Sequence, residues 1–401
     1  MIKMTERAQF VLRKGAGRSL KAGGSWVYDN EIEHISGEYE NGGVVDVLDF
    51  DGYPMGSGFV NDNSAIRIRM LSRDPSEVPD DDFFRSRIKA AWDYRKKVID
   101  TSSCRLVFGE ADGLPGLVVD KYEDVLVMQV SALGMDRIKA RMADLVREVL
   151  GEDGVSIRGI YERSDGKYRD QEGIPRVSAF MGDKFDTSVI ITENNVKYYV
   201  DIEKGQKTGF FLDQKLNRAA VGKLAEGSTV LDCFTHTGSF ALNCGRCGAK
   251  SVLGVDASAD AVSMARKNAE LNGLSGTVSF MQDNVLDLLP KLAREGAQYD
   301  MVILDPPAFT KSRNSIKAAM KGYREINMKA LRVIRPGGFL ATCSCSHFMD
   351  LQAFTAVISQ AAASAHRRLR QVELRTQAPD HPVLWGSDET FYLKFYIFQV
   401  I

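Results

Sequence analysis

Apolar positions change rhythm along the chain. Up to about residue 75 they come in short alternating runs. Val44-Val-Asp-Val-Leu-Asp-Phe-Asp-Gly52 alternates and ends in Asp51-Gly52, and Ala65-Ile-Arg-Ile-Arg-Met-Leu71 repeats the period of two. Alternation closed by Asp-Gly predicts strands joined by a hairpin, so residues 1–75 read as a small β-barrel-like module. A turn-rich acidic stretch from Asp74-Pro75 to Asp82 leads into residues 83–100, which read as a helix. Strand runs broken by Asp-Gly, Leu-Pro-Gly and Glu-Asp fill residues 105–130, a helix follows over about 134–150, and strands continue to about 203. Residues 76–185 therefore read as a mixed α+β central domain.

From about residue 186 to 401 the pattern is different. Short continuous apolar runs, Ser228-Thr-Val-Leu-Asp-Cys-Phe234, Ser251-Val-Leu-Gly-Val-Asp-Ala257, Tyr299-Asp-Met-Val-Ile-Leu-Asp-Pro-Pro307 and Gly337-Gly-Phe-Leu-Ala-Thr-Cys-Ser-Cys-Ser346, alternate with helical stretches. Such runs are strands buried on both faces of a parallel sheet, the α/β doubly wound arrangement. Ligands on these sheets bind at the carboxyl ends of the strands. The distinctive residues of this sequence sit at those ends.

The first run ends in Asp232, and Thr235-His-Thr-Gly238 is the turn that opens the next helix. Gly238 is expected to let a ligand approach the backbone. The second run ends in Asp256, placed to accept hydrogen bonds from ribose hydroxyls. Ser258 caps the helix after it, and Asn272-Gly273 stops it. Thr277-Val-Ser-Phe-Met-Gln282 delivers Asp283 to the same edge, where it would hold an adenine amino group. A dinucleotide site needs a G-x-G-x-x-G turn to seat its pyrophosphate. A single glycine suits a cofactor with ribose and adenine but no phosphate, which points to S-adenosylmethionine.

The fourth run ends in Asp305-Pro306-Pro307, a rigid turn suited to presenting a carboxylate to an amine-bearing base. The fifth carries Cys343 and Cys345, which alternation puts on one face with Ser344 on the other. A thiolate there would attack C6 of a pyrimidine and make C5 able to accept a methyl group. Its pKa must be lowered by positive charge or backbone N–H groups, for which the Lys/Arg-rich segment after Asp305 is the candidate. Cys244-x-x-Cys247 has no second pair at zinc spacing, and the five histidines form no metal motif, so no metal is expected.

Composition adds little until charge is resolved by position. The 401 residues are 44% hydrophobic and 26% charged with a formal net charge of -1, which excludes a uniformly basic nucleic-acid binder. Basic residues nevertheless cluster at Lys3, Arg7, Arg13, Lys14, Arg18 and Lys21, and again from Lys311 through Arg313 and Lys317 to Arg335. Lys14, Arg18, Lys311, Arg313 and Lys317 are the expected RNA contacts, acting on phosphates. The absence of a long apolar run or a signal-like N-terminus, with six scattered cysteines, gives the expectation of a cytoplasmic protein with no membrane partner. Oligomeric state stays open, a homodimer included.

Together, Lys207-Thr-Gly-Phe-Phe-Leu-Asp-Gln214, Asp305-Pro-Pro-Ala-Phe309 and Cys343-Ser-Cys-Ser-His347 resemble the ribosomal RNA large subunit methyltransferase I group, which forms 5-methylcytosine in large-subunit ribosomal RNA. Residues 24–32 and 67–72 resemble its N-terminal PUA domain, a small RNA-binding barrel, and Glu110-Ala-Asp-Gly-Leu-Pro-Gly-Leu117 its central domain. The resemblance covers nearly the whole chain. It implies a C-terminal Rossmann-like class I methyltransferase domain with S-adenosyl-L-methionine as cofactor and ribosomal RNA as partner. Phe210, Asp213 and Gln214 would shape the cofactor pocket. Asp232, Phe234, Thr237 and Gly238 would surround its methionine part, Asp256 the ribose and Asp283 the adenine. Asp305 would hold the cytosine beside the cofactor, and Cys345 matches the nucleophile position better than Cys343. Ala308 stands where many RNA cytosine-C5 enzymes carry a second Cys that helps release product. The double proline also resembles guanine and amino-group methyltransferases that form no covalent adduct. A non-catalytic RNA-binding protein that keeps the cofactor fold is the third reading.

Overall fold

The computed structural model describes residues 7–310, 313–386 and 390–401, the side chain of Arg313 excepted. The chain forms two compact units. The first takes the described residues of Met1–Val189, Val200–Leu212 and Pro379–Thr390; the second takes Ile190–Tyr199, Asp213–Ala378 and Phe391–Ile401.

Within the first unit, the alternating N-terminal runs form a six-stranded sheet between Gln9 and Ser72, including the expected hairpin of Val44–Leu48 with Pro54–Val60. Its strands place Phe10, Val27, Val45, Val47, Val60 and Ile68 in one apolar core, so the sheet must curl around it. The helix Asp81–Val98 forms where the sequence marks it. Asp80 caps it by accepting from the Phe83 N–H at 3.0 Å, acids occupy its first turn and Arg95, Lys96 and Lys97 its last. Its Phe83, Phe84, Ile88 and Trp92 face the core of a five-stranded sheet running from Ser103 to Phe180, which also receives the helix Leu133–Glu152. Among the described residues no helix is long and apolar enough to cross a membrane.

The second unit is built on a seven-stranded sheet. Its strands are β1 (Thr229–Cys233), β2 (Ser251–Asp256), β3 (Val278–Gln282), β4 (Tyr299–Leu304), β5 (Ile334–Ser344), β6 (Leu369–Arg375) and β7 (Lys394–Val400). In space they run 3-2-1-4-5-7-6. The first five are mutually parallel, and β7 is antiparallel to both β5 and β6. The parallel strands are apolar on both faces because helices cover both, as the continuous runs predicted; the core takes Leu231, Val255, Val302, Leu304 and Leu340 from the sheet and Tyr323, Ile326 and Phe354 from the helices. Strand order reverses between β1 and β4. A crevice opens at such a point outside the carboxyl ends of the strands.

Candidate active site

Four acids stand at that edge: Asp232 within β1, Asp256 at the end of β2, and Asp283 and Asp305 one residue past β3 and β4. The turn after β1 is unusual. Phe234, His236 and Gly238 all adopt positive φ, at 65°, 50° and 85°. Two non-glycine residues in this region represent stored strain, which persists only where the surroundings enforce it. Here Asp232 Oδ2 accepts from Thr235 Oγ1 at 2.5 Å and from the Ala241 N–H at 3.0 Å, while Asp256 Oδ2 accepts from the His236 N–H at 2.9 Å. Asp256 Oδ1 accepts from the Ser258 N–H at 3.0 Å, and the Ser258 side chain caps the next helix as expected. A Cβ at Gly238 would meet the Phe280 ring at 2.7 Å, so packing and positive φ demand the glycine in addition to the ligand approach expected of it.

Asp232 is fully buried, and burial pushes its carboxyl up to about 7, with the negative charges of Asp305 and Asp256 acting in the same direction. Its Oδ1 has no hydrogen-bond partner among the described residues. An orphaned acceptor with Asp256 and Asp305 acting on it suits a ligand rich in donors, with an ammonium and hydroxyls. S-adenosylmethionine has that donor set.

The two thiols differ sharply. Cys343 lies inside β5, fully buried, and donates to Asp305 Oδ1 at 2.8 Å. Burial, with the Asp305 charge beside it, holds its pKa well above the ordinary thiol value, so it remains S–H. Gln214 Nε2 reaches its sulfur at 3.5 Å, and Tyr392 O–H donates to Asp213 Oδ2 at 2.7 Å. Cys345 sits past the end of β5 and is half-buried. Alternation therefore does not extend to it, and the expectation that both thiols share one strand face is corrected by a strand that stops at Ser344. The turn carrying Cys345 is held from two sides. Ser344 Oγ donates to Tyr323 O–H at 3.0 Å, and Lys394 Nζ donates to the Ser346 carbonyl at 2.6 Å.

Phe210 belongs to the first unit, where its N–H donates to Tyr122 O–H at 3.1 Å; Asp213 and Gln214 belong to the second. Phe234 and Thr237 are half-buried in the turn. Lys14, Arg18 and Lys317 are exposed, whereas Lys311 and the Arg313 side chain lie outside the described residues. Sequence reasoning missed Tyr323, Tyr392 and Lys394. For Lys394 a signal existed, a single charge in the apolar run Phe391-Tyr-Leu-Lys-Phe-Tyr-Ile-Phe398.

The chain is similar to known proteins along nearly its whole length. A family model described as S-adenosylmethionine-dependent methyltransferase matches residues 164–393, and one described as a PUA-like domain matches residues 10–73. The chain is 38% identical over 394 residues to the ribosomal RNA large subunit methyltransferase I of Shewanella amazonensis, covering 97% of this chain and 98% of that protein. It is 39% identical over 388 residues to the protein of the same name from Aeromonas salmonicida, covering 96% and 97%. A solved chain described as a SAM-dependent methyltransferase from Streptococcus mutans shares the fold, with a TM-score of 0.81 at 21% identity over 98% of this chain and 99% of that one.

Proposed function

Because the chain belongs to the S-adenosylmethionine-dependent methyltransferase family, with relatives named ribosomal RNA large subunit methyltransferase I along nearly its full length, we propose that it methylates C5 of a cytosine in large-subunit ribosomal RNA with Cys345 as the nucleophile. The observation that carries this reading is the contrast between the thiols. Cys343 is buried, protonated and committed to Asp305, while Cys345 is half-exposed on a braced turn just beyond the strand. One thiol orients the carboxylate; the other is partly exposed at the end of the strand, where a base can approach it.

Cys345 Sγ forms a bond to C6 as the C5–C6 double bond opens, leaving electron density on C5. Asp305 accepts hydrogen bonds from the cytosine amine and is held for that role by Cys343. Asp256 and Asp283 bind ribose and adenine, and the turn from Asp232 to Gly238 surrounds the amino-acid end. S-adenosylmethionine, when bound, supplies an electrophilic methyl group to C5. The C5 proton then leaves to water, since Ala308 occupies the place of a second thiol, and the S–C6 electrons return to Cys345 as the double bond re-forms. The base must be reached from both faces, so it is single-stranded or flipped.

Cys345→Ala should abolish methyl transfer, and RNA containing 5-fluorocytosine should trap wild type but not this variant in a covalent complex. Cys343→Ala should still be trapped. Nucleoside mass analysis showing methylation by Cys345→Ala but not Cys343→Ala would move the nucleophile to Cys343. Normal methylation by both variants would replace the covalent route with guanine or amino-group methylation.

A further inference from the structure

Lys394 is one of the largest fully buried side chains in the molecule. It opens β7 directly opposite Ser344, the last residue of β5. A buried ammonium is costly unless its protons find acceptors. Lys394 Nζ donates to the Ser346 carbonyl at 2.6 Å and to the Tyr392 carbonyl at 2.9 Å. Those two bonds tie the residue after Cys345 to the start of β7. The other side of the same turn is tied to Tyr323 through Ser344. The thiol that the proposed mechanism needs therefore sits on a turn fixed by a buried cation.

Resting on the reading of Cys345 as nucleophile, we propose that Lys394 is a positioning residue for it: its ammonium fixes the turn through Ser346 and favours the thiolate of Cys345 over the thiol. The titratable and charged groups facing Lys394 are Cys345 and Cys343 from β5 and the turn after it, and Asp350 at the start of the helix Leu351–Ser364; Tyr323 faces the same turn from its own helix. Burial pulls the Lys394 pKa down to about 8, and the negative forms of Cys345, Cys343 and Asp350 push it back up. That interaction is mutual, so the ammonium favours each anion in return. Cys343 gains little, because Asp305 opposes its ionisation at contact distance. Cys345 lies between Ser344, which pairs with Lys394 across the strands, and Ser346, whose carbonyl the ammonium holds at 2.6 Å, so it is the thiol this cation is placed to serve. This answers the sequence's need for a nearby positive charge with a residue far from the basic segment after Asp305.

A purely structural Lys394 would brace the turn without changing thiol ionisation. The decisive measurement is iodoacetamide labelling of Cys345 against pH on the full chain, read by peptide-resolved mass spectrometry with exposed Cys247 as internal reference. The wild-type midpoint for Cys345 should lie below the ordinary thiol value of about 8.5. Lys394→Met should raise it by about one pH unit or more, and Lys394→Arg should keep it near wild type. A wild-type midpoint at or above about 8.5, or no shift in folded Lys394→Met, overturns the proposal. If Lys394→Met does not fold, the wild-type midpoint decides alone. Methylation retained by Cys345→Ala would sink the nucleophile reading while leaving the labelling result intact, so the two failures are distinguishable.

Discussion

Asp256 takes one backbone N–H on each carboxylate oxygen, from His236 and Ser258. A carboxylate has about four acceptor sites, so capacity for a ribose diol remains after the turn is held. Asp256→Ala removes that capacity and should weaken S-adenosylmethionine binding by roughly 2–4 kcal/mol, because hydrogen bonds to a charged group run about 1.5–3 kcal/mol each and are not additive. Titration calorimetry giving wild-type affinity in a folded variant would remove Asp256 from the cofactor site. Acids such as Asp256, Asp283 and Asp305 were legible in the sequence because each ends an apolar run, and the end of a parallel strand is where such sheets bind ligands. Lys394 was not legible in the same way. Its acceptor on Ser346 becomes a neighbour only when β7 pairs antiparallel with β5, a non-local event that no spacing in the chain encodes.

At the scale of elements, the β1–turn–helix unit rests on Asp232, which joins strand to helix through Thr235 and the Ala241 N–H. Its carboxyl is pushed by burial from an ordinary 3.8 up to about 7. The folded state therefore holds the proton more tightly than the unfolded state. The resulting stability is fully present below about pH 4 and is lost as pH rises through about 7, where a buried charge must be carried. Asp232→Asn keeps an acceptor for both donors but cannot ionise. Urea denaturation of cofactor-free protein should show wild type losing stability relative to Asp232→Asn by about 3 kcal/mol between pH 4.5 and 7.5. A difference that stays constant across that range would mean the carboxyl is not perturbed as described. The same unit shows where element-level reading falls short. The strand, turn and following helix were plain from the apolar run and the single glycine, yet a packing demand on Gly238 comes from Phe280, a residue of β3. Likewise, alternation correctly oriented Cys343 but was extended one strand residue too far to include Cys345, because the end of β5 is set by its pairing with β4 and β7 rather than by local sequence.

For the whole molecule, a net charge of -1 gives no overall attraction to a polyanion, so the RNA affinity that the proposed function requires must come from local charge. Ion pairing decides which basic residues remain available. Arg7, Arg13 and Lys21 of the first basic run pair with Asp46, Glu33 and Asp49. Lys14 and Arg18 are exposed and have no carboxylate partner among the described residues, and the same holds for Lys317 at the start of the helix Ile316–Arg332. That helix buries Ala319, Tyr323, Ile326 and Ala330, which leaves its cations on the solvated side. The sequence could show where basic residues cluster but could not separate paired from unpaired ones, since the partners are distant in the chain. Each phosphate contact releases counterions, so replacing Lys14, Arg18 and Lys317 together by Ala should lower the dependence of log affinity on log salt by about 0.7 per contact on a single strand, about 2 in all. Affinity should fall most at low salt, and replacing the already paired Arg13 and Lys21 should change the slope less. Fluorescence anisotropy with a labelled ribosomal RNA fragment over a range of potassium chloride concentrations measures both. A triple variant with the wild-type slope would assign RNA binding to other residues and leave these three as ordinary solvated surface.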